Sequence, residues 1–227
     1  MMAPETSSAA ARDARLLALL LAGVTALVFA PGIFGDFIWD DRSLIVEGTT
    51  DLFEAVTSSF WDADLDGHAQ TGARYYRPVI SAAYVLQRAA FGLKPVGFHL
   101  VSLLLHLACV VLAFRWVVRR VGASGRAALV ATALACALFA LHPSRPESVT
   151  WISGSTDLWM TFWLLLGLEA WDRGSARWRI AAVVAFAFSA LSKEATYLVP
   201  GLLLIDALAL RPAEERRREV KAALLAG

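Results

Sequence analysis

Long apolar runs separated by short polar segments are the feature that most constrains this chain. Runs that could cross a hydrocarbon core of roughly 30 Å occur at residues 16–35, 96–118, 126–141, 156–171, 179–191 and 196–210. Apolar residues make up 58% of the sequence, which exceeds their share in ordinary soluble domains. The expected fold class is therefore all-α: a polytopic integral membrane protein with about six transmembrane helices.

The number of spans has alternatives. The runs at 126–141 and 179–191 are short for spanning helices, and the last two runs could instead form one re-entrant hairpin around residues 192–195. The first run is not a secretory signal, because it is longer than a typical signal core and no small-residue cleavage site follows it.

The distribution of basic residues predicts the orientation. With a cytoplasmic N-terminus, fourteen of the 21 Lys and Arg residues lie on the cytoplasmic side and seven on the outer side, which is the positive-inside pattern. Residues 1–15 would form a cytoplasmic tail, and residues 211–227 a basic cytoplasmic loop that leads into a further helix. A net charge of +1 does not favour nucleic acid as a partner. Cys109 and Cys136 lie in apolar runs and predict neither a disulfide framework nor a zinc site.

Three polar segments would then meet on the outer side of the membrane, namely residues 36–94, 141–158 and 191–195. Ionisable groups close to a membrane are usually paired or functional, so a site assembled from these segments is the natural hypothesis. No P-loop, dinucleotide-binding or zinc motif and no internal repeat is present in the sequence.

The first outer segment contains a helical pattern. Apolar residues recur at helical spacing within 79–92, which predicts an amphipathic helix in the membrane interface; they are Val79, Ala82, Ala83, Leu86 and Ala90. Pro78 can serve as the first helical residue. Arg77 would then lie at headgroup level, where a guanidinium can bind a phosphate through two hydrogen bonds. Pairing with ordinary lipid headgroups is an equally open reading of Arg77.

Six short motifs follow one another in a recognisable order. They are FIWDD (37–41), YYRP (75–78), GFHLVSLLLH (97–106), LFALHPSRPESVTWISG (138–154), the Asp-Leu pair at 157–158 and LSKE (191–194). This series resembles the membrane half of the transmembrane-and-TPR-containing O-mannosyltransferases and their bacterial relatives. More distantly, it resembles the GT-C glycosyltransferases that use polyprenyl-phosphate sugars. The resemblance implies a GT-C-like membrane module over 16–210 with an extracytoplasmic loop at 36–94.

The resemblance implies an inverting glycosyltransferase in a multi-pass membrane protein, expected in a bacterial inner membrane with its site on the extracytoplasmic side. The donor would be a polyprenyl- or dolichyl-phosphate hexose, such as mannose, and the acceptor a hydroxyl of a protein or a glycan. Membrane lipid would be the further partner.

The resemblance implies a catalytic role for the two carboxylates of FIWDD. A general base must reach the acceptor hydroxyl, and Asp40 is favoured as that base with Asp41 as its helper. Asp41 would raise the basicity of Asp40, position the acceptor, or hold a divalent cation together with Asp40. The alternative is that both are solvated loop carboxylates.

The leaving polyprenyl phosphate would need fixed cations or donors. The implied donor-phosphate ligands are Arg77, Lys193, His142 and His99, and the implied supporting residues are Tyr76, Glu147, Asp157 and Glu194. Lys193 and Glu194 could instead form ion pairs that only join helices, and the HPSRPE turn could be only a helix cap. His106 is expected to hydrogen-bond to a neighbouring helix.

Two departures from the family are visible. Ser155 stands where the family commonly has an arginine, so a different cation would have to take that role. No TPR array follows, and the closing VKAALLAG resembles the start of a further helix, so the chain is expected to be an N-terminal piece of a longer protein or a degenerate copy.

Three functions make different predictions. The enzyme predicts that Asp40, Arg77 and Lys193 line one outer-facing cavity. A non-catalytic membrane scaffold predicts that the charged residues are paired off separately. A transporter predicts ionisable residues near the bilayer midplane and inverted repeats, and it is ranked last.

Overall fold

A computed structural model describes residues 4–60, 75–123, 125–205 and 208. All regular elements in these ranges are helical, which confirms the all-α prediction. The α-helices are α1 Pro4–Phe29, α2 Leu52–Thr57, α3 Pro78–Phe91, α4 Pro95–Arg120, α5 Arg126–Ala140, α6 Arg145–Val149, α7 Thr156–Trp171, α8 Ala176–Ala190 and α9 Val199–Ile205. Three 3-10 turns, Ala30–Phe34, Ser153–Ser155 and Glu194–Leu198, and one π-helical turn, Arg42–Val46, complete the set.

Two of the helical segments are long and apolar enough to cross a membrane. They are Ser8–Phe34, with 27 residues, and Pro95–Arg120, with 26 residues. At 1.5 Å per residue each measures about 40 Å. Helices α5 and α8 have 15 residues each and α7 has 16, so each of these three measures about 23 Å.

The predicted helix boundaries hold to different degrees. Helix α7 covers the predicted run at 156–171 in full. Helix α1 begins at Pro4, twelve residues before the predicted run, because the alanine-rich turns that precede the run are strong helix formers. The N-terminal tail predicted at 1–15 is therefore helical from Pro4 onward, whereas the loop and further helix predicted at 211–227 lie outside the described residues.

Helix–helix contacts bring the polar segments to one end of the bundle. His106 Nε2 in α4 hydrogen-bonds to the carbonyl oxygen of Ala140 at the end of α5, at 2.9 Å. The Cys109 thiol lies 3.6 Å from the Leu158 carbonyl oxygen at the start of α7. Helices α1, α5 and α8 end on this side of the bundle, and α4 and α7 begin there. We call it the Asp41 end. The His106 bond confirms the interhelical role predicted for that side chain.

The opposite end of the bundle is held by ion pairs. Arg119 contacts Glu169 at 2.7 Å, and Arg120 contacts Asp172 at 3.2 Å. Trp116 donates a hydrogen bond from its indole nitrogen to Asp172 at 3.0 Å. These contacts join the C-terminal turns of α4 and α7, so the two helices stay packed along their length.

Helix α3 begins at Pro78 as predicted, and the face that it packs on the protein differs from the apolar stripe predicted for the membrane interface. The face that packs on the protein consists of Ile80, Ala83, Tyr84 and Gln87, whereas Leu86 of the predicted stripe is 59% exposed. Ile80 and Tyr84 belong to one apolar cluster with Phe98 and Ile152. These larger side chains bury more apolar area than the alanines of the predicted stripe would, and so decide which face packs inward.

Candidate functional site

A tight turn at the end of α1 presents the two adjacent carboxylates. The Asp41 amide donates to the Ile38 carbonyl at 3.0 Å, and the Ile38 amide donates back to Asp41 Oδ2 at 3.1 Å. Trp39, between them, has a φ of 48°, a left-handed conformation that is rare for residues other than glycine. The turn therefore holds Asp40 and Asp41 in fixed and different directions.

Asp41 points inward and joins two distant segments. Its side chain is 0% exposed, and its Oδ1 accepts from the Ser153 amide at 2.7 Å and also from the Ser153 hydroxyl. With the Ile38 amide on Oδ2, the buried carboxylate has three donors, which is what a buried charge requires. Asp41 thus fastens the first loop to the 141–158 segment.

Asp40 points to the other side of the turn and is half-buried. Burial raises the pKa of the Asp40 carboxyl, and the negative charge of Asp41 raises it further. Within the described ranges no side-chain or backbone donor contacts this carboxylate. A half-exposed carboxylate with a raised pKa is well suited to accept a proton.

The two carboxylates do not by themselves form a cation site. Three donors already occupy the oxygens of Asp41. No group of three or more His, Cys, Asp or Glu side chains suited to a metal occurs in the part of the chain that the structure describes.

Four charged residues form a second feature at the same end, here called the charged cluster: Arg77, Asp157, Lys193 and Glu194. The Arg77 guanidinium binds the Glu194 carboxylate with Nη2 at 2.7 Å from Oε1 and Nε at 3.1 Å from Oε2. Lys193 Nζ lies 2.6 Å from Asp157 Oδ1. Three elements meet in this cluster: the start of α3, the turn after α8 and the first turn of α7.

Local packing fixes the geometry of the charged cluster. The Arg77 guanidinium lies over the rings of Tyr75 and Phe60, at 4.8 and 5.2 Å from their centroids. Burial would raise the pKa of Glu194, but the hydrogen bonds and charge of Arg77 outweigh it and lower the pKa below its ordinary value. Both Lys193 and Glu194 therefore pair with a neighbour, as the structural alternative predicted.

Tyr84 connects the Asp41 turn with the charged cluster. Its side chain is buried, and its hydroxyl lies 3.4 Å from the Ile152 carbonyl oxygen. Burial raises the pKa of Tyr84, which interacts electrostatically with both Asp41 and Arg77. Ser155, at the family's arginine position, contributes a buried hydroxyl and no charge.

The two remaining histidine candidates differ in exposure. His99 is 3% exposed. Its Nε2 packs against Gly35, and a Cβ atom added to Gly35 would lie 2.9 Å from that nitrogen. Neither of its ring nitrogens has a hydrogen-bond partner among the described residues. His142 is exposed, and its Nδ1 lies 2.8 Å from the Ser144 hydroxyl oxygen.

Two supporting candidates lie away from both features. Tyr76 is exposed, and its hydroxyl donates to the Val56 carbonyl at 2.8 Å, which braces α2. Glu147 is exposed in α6, and no side-chain partner is found for it in the described ranges. Neither side chain contacts the charged cluster.

A cavity of about 450 Å³ lies between the first loop and α3. Its lining includes Ser43, Glu47, Glu54, Tyr84 and Arg88. The cavity shares Tyr84 and Phe60 with the site. Asp40, Arg77 and Lys193 lie at the Asp41 end, but none of them lines this cavity.

Two residues at this end were missed by the sequence analysis. Ser153 hydrogen-bonds to Asp41 and lies in the WISG segment. The residues around Ser153 do not indicate a partner 112 residues away in the sequence. Arg145 was counted only as an outer cation. It lies between two prolines, and its guanidinium packs over the Phe139 ring at 5.3 Å from the centroid.

Several named proteins are similar to this chain. Protein O-mannosyl-transferase Tmtc1 of Drosophila melanogaster is 33% identical over 61% of the chain and 16% of its own length. Protein O-mannosyl-transferase TMTC4 of Mus musculus is 28% identical over 81% of the chain and 28% of its own length. TMTC1 of Mus musculus is 30% identical over 69% of the chain and 17% of its own length. The chain thus spans less than a third of these curated relatives.

No family model matches the chain. No solved structure matches it.

Proposed function

Because this chain belongs to the family of the TMTC protein O-mannosyl-transferases, we propose that it is the membrane part of an inverting GT-C-type glycosyltransferase. The enzyme transfers mannose or a related hexose from a polyprenyl-phosphate donor to a hydroxyl of a protein or glycan acceptor. The reaction takes place on the extracytoplasmic side of the membrane.

The observation that carries the proposal is the division of roles between two adjacent carboxylates. Asp41 is fully buried and held by three donors. Asp40 is half-buried, has a raised pKa and has no donor on its carboxylate within the described residues. A solvated loop needs neither arrangement, whereas a general base needs both a fixed position and an open carboxylate.

The proposed reaction uses residues of both features. Asp40 accepts the proton of the acceptor hydroxyl while the oxygen of that hydroxyl attacks the anomeric carbon of the sugar. The bond from this carbon to the phosphate oxygen breaks on the opposite face, and the polyprenyl phosphate leaves with the bonding pair. Arg77 and Lys193 stabilise its charge, and Glu194 and Asp157 hold these cations in position before the phosphate arrives.

The proposed membrane arrangement has six passes with the Asp41 end outside. The basic residues favour this orientation. Val199 and Leu203 of α9 pack in one cluster with Ala170 and Trp171 of α7, which supports a last segment that runs back along the bundle. The 59% exposure of Leu86 supports a position of α3 in the membrane interface.

Cysteine labelling tests this orientation. We expect Lys94→Cys, in the turn before α4, to react with an impermeant thiol reagent in intact cells. Ser175→Cys, in the turn before α8, should react only after permeabilisation. Both positions are exposed, and the native cysteines are buried, so the parent chain serves as the control. The reverse labelling pattern would overturn the proposed topology.

Sugar transfer tests the proposed function directly. The full chain in lipid nanodiscs, supplied with radiolabelled polyprenyl-phosphate mannose and a serine- and threonine-rich peptide, should form labelled peptide. A nucleotide-activated mannose should not substitute as donor, because it lacks the lipid phosphate that leaves in the proposed reaction. Transfer from the nucleotide sugar alone would contradict the proposal.

A non-catalytic membrane subunit is the second candidate function. It is favoured by the observation that Arg77 and Lys193 are each paired with a carboxylate. This alternative predicts that the chain assembles with partner proteins and that substitution of Asp40 leaves the activity of the assembly unchanged.

A further inference from the structure

Four basic side chains at the Asp41 end are partly buried in the described structure: Arg77, Arg88, Arg145 and Lys193. Arg77 and Lys193 pair with carboxylates, and Arg88 donates to two backbone carbonyls of the first loop at 2.8 and 2.9 Å. Arg145 differs, because its buried Nε has no partner among the described residues and no carboxylate there pairs with it.

Arg145 points toward the apolar part of the bundle. Its guanidinium lies over Phe139 of α5 and interacts electrostatically with His106 and Cys109 of α4. A partly buried cation without a counter-charge among the described residues is costly beside apolar helices, so a functional partner is the default expectation.

The contact with Phe139 does not use the hydrogen-bonding capacity of Arg145. A ring attracts the positive charge of the guanidinium, whereas the N–H donors radiate from its edge in a planar fork. The backbone turn from His142 to Arg145 is closed by a hydrogen bond of 2.8 Å, so the exposed His142 ring and the guanidinium come from the same four residues. Planar guanidinium groups match the oxygens of a phosphate.

We infer that Arg145 binds the phosphate of an isoprenoid lipid phosphate at the membrane side of the Asp41 end. The inference rests on the proposed function, since this phosphate would be that of the sugar donor. Binding at Arg145 disrupts no ion pair, whereas the charges of Arg77 and Lys193 are already partly neutralised by Glu194 and Asp157. Arg145 is therefore the cation that receives the lipid phosphate first.

Binding of polyprenyl phosphate without sugar tests the inference. The full chain is reconstituted in nanodiscs of zwitterionic lipid, and the dissociation constant is measured for the wild type, Arg145→Gln, Arg145→Lys and the control Lys94→Gln. Loss of charge-assisted hydrogen bonds should weaken binding about tenfold to a hundredfold in Arg145→Gln. Arg145→Lys should recover part of this loss, and Lys94→Gln should bind as the wild type does. Equal affinity of wild type and Arg145→Gln would overturn the inference.

Competition identifies the source of the phosphate. Phosphatidylglycerol at the same concentration should displace polyprenyl phosphate only weakly. Inorganic phosphate should compete in the wild type and not in Arg145→Gln. If phosphatidylglycerol competes as well as polyprenyl phosphate itself, the site recognises general anionic headgroups, and the assignment to an isoprenoid phosphate is wrong.

Stability in the absence of ligand separates binding from a structural role. Arg145→Gln removes no ion pair and loses only the contact with Phe139, so it should lower the unfolding temperature less than Arg77→Gln, which leaves Glu194 unpaired. If the unfolding temperature of Arg145→Gln falls as far as that of Arg77→Gln, Arg145 has a structural role and the inference is overturned.

The sugar-transfer experiment and the phosphate-binding experiment test the two proposals independently. If polyprenyl phosphate binds through Arg145 but no sugar is transferred, the proposed function fails and the inference stands. If sugar is transferred and binding does not depend on Arg145, the inference fails and the proposed function stands.

Discussion

Asp40→Asn is expected to lower the rate of sugar transfer by about 10²–10⁴-fold, because a positioned general base contributes a factor of that size. Asparagine keeps the size of aspartate but cannot accept the proton of the acceptor hydroxyl. The Asp40 carboxylate has no donor in the described structure and is half-buried, so the variant should fold as the wild type does. Binding of polyprenyl phosphate should also be unchanged, since donor binding is assigned to other residues.

Asp36→Asn is the matched control for this variant. Asp36 precedes Asp40 by four residues in the same loop and is exposed, and among the described residues its carboxylate accepts a hydrogen bond only from the neighbouring Phe37 amide, at 2.8 Å. Transfer and donor binding are measured on the same purified samples of wild type and both variants. If Asp40→Asn transfers sugar at the wild-type rate, the base lies elsewhere, and the non-catalytic subunit becomes the better account of the chain.

The pH dependence of transfer provides a second measurement on Asp40. Burial and the charge of Asp41 raise the pKa of Asp40 above its ordinary value of 3.8. A base acts in its deprotonated form, so transfer should fall as the pH is lowered through this raised pKa and should level off above it. The acidic limb should be absent from the residual rate of Asp40→Asn.

The parts of the fold that follow from local pattern were predictable. The mostly apolar run over 156–171 predicts α7, and Pro78 predicts the first residue of α3 because its fixed φ suits a helix start. The interhelical bond of His106 follows from the cost of leaving a histidine unpaired between apolar helices. Each of these predictions depends only on a few residues that are close in sequence and on the apolar surroundings expected for them.

Side-chain partners across the fold were not predictable in the same way. The bond from Ser153 to Asp41 joins residues 112 apart in sequence, and that from Arg77 to Glu194 joins residues 117 apart. Many pairings of the same charges satisfy the sequence equally well, and packing selects one of them. For the same reason the sequence predicts different roles for Asp40 and Asp41 but not the partners that hold Asp41 in the interior, the amides of Ile38 and Ser153.

Asp41→Ala is expected to produce the largest loss of stability among the site residues, about 3–5 kcal/mol. The substitution leaves three donors without an acceptor, namely the buried amide and hydroxyl of Ser153 and the partly buried amide of Ile38. It also releases the first loop from the 141–158 segment, so Trp39 loses the support for its left-handed conformation. The unfolding free energy in detergent micelles measures the effect, with Asp36→Ala as the control.

A double-mutant cycle with Ser153→Ala separates the fastening role of Asp41 from a direct catalytic one. Ser153→Ala removes the hydroxyl donor but keeps the amide, so it should destabilise less than Asp41→Ala. The two changes together should cost less than their sum, because both act on one contact. If instead the effects on stability add and Asp41→Ala abolishes transfer in protein that is still folded, Asp41 acts on the substrate itself. If Asp41 only positions Asp40, as we propose, the folded molecules of Asp41→Ala still transfer sugar. Their rate should then decrease only to the extent that Asp40 is displaced.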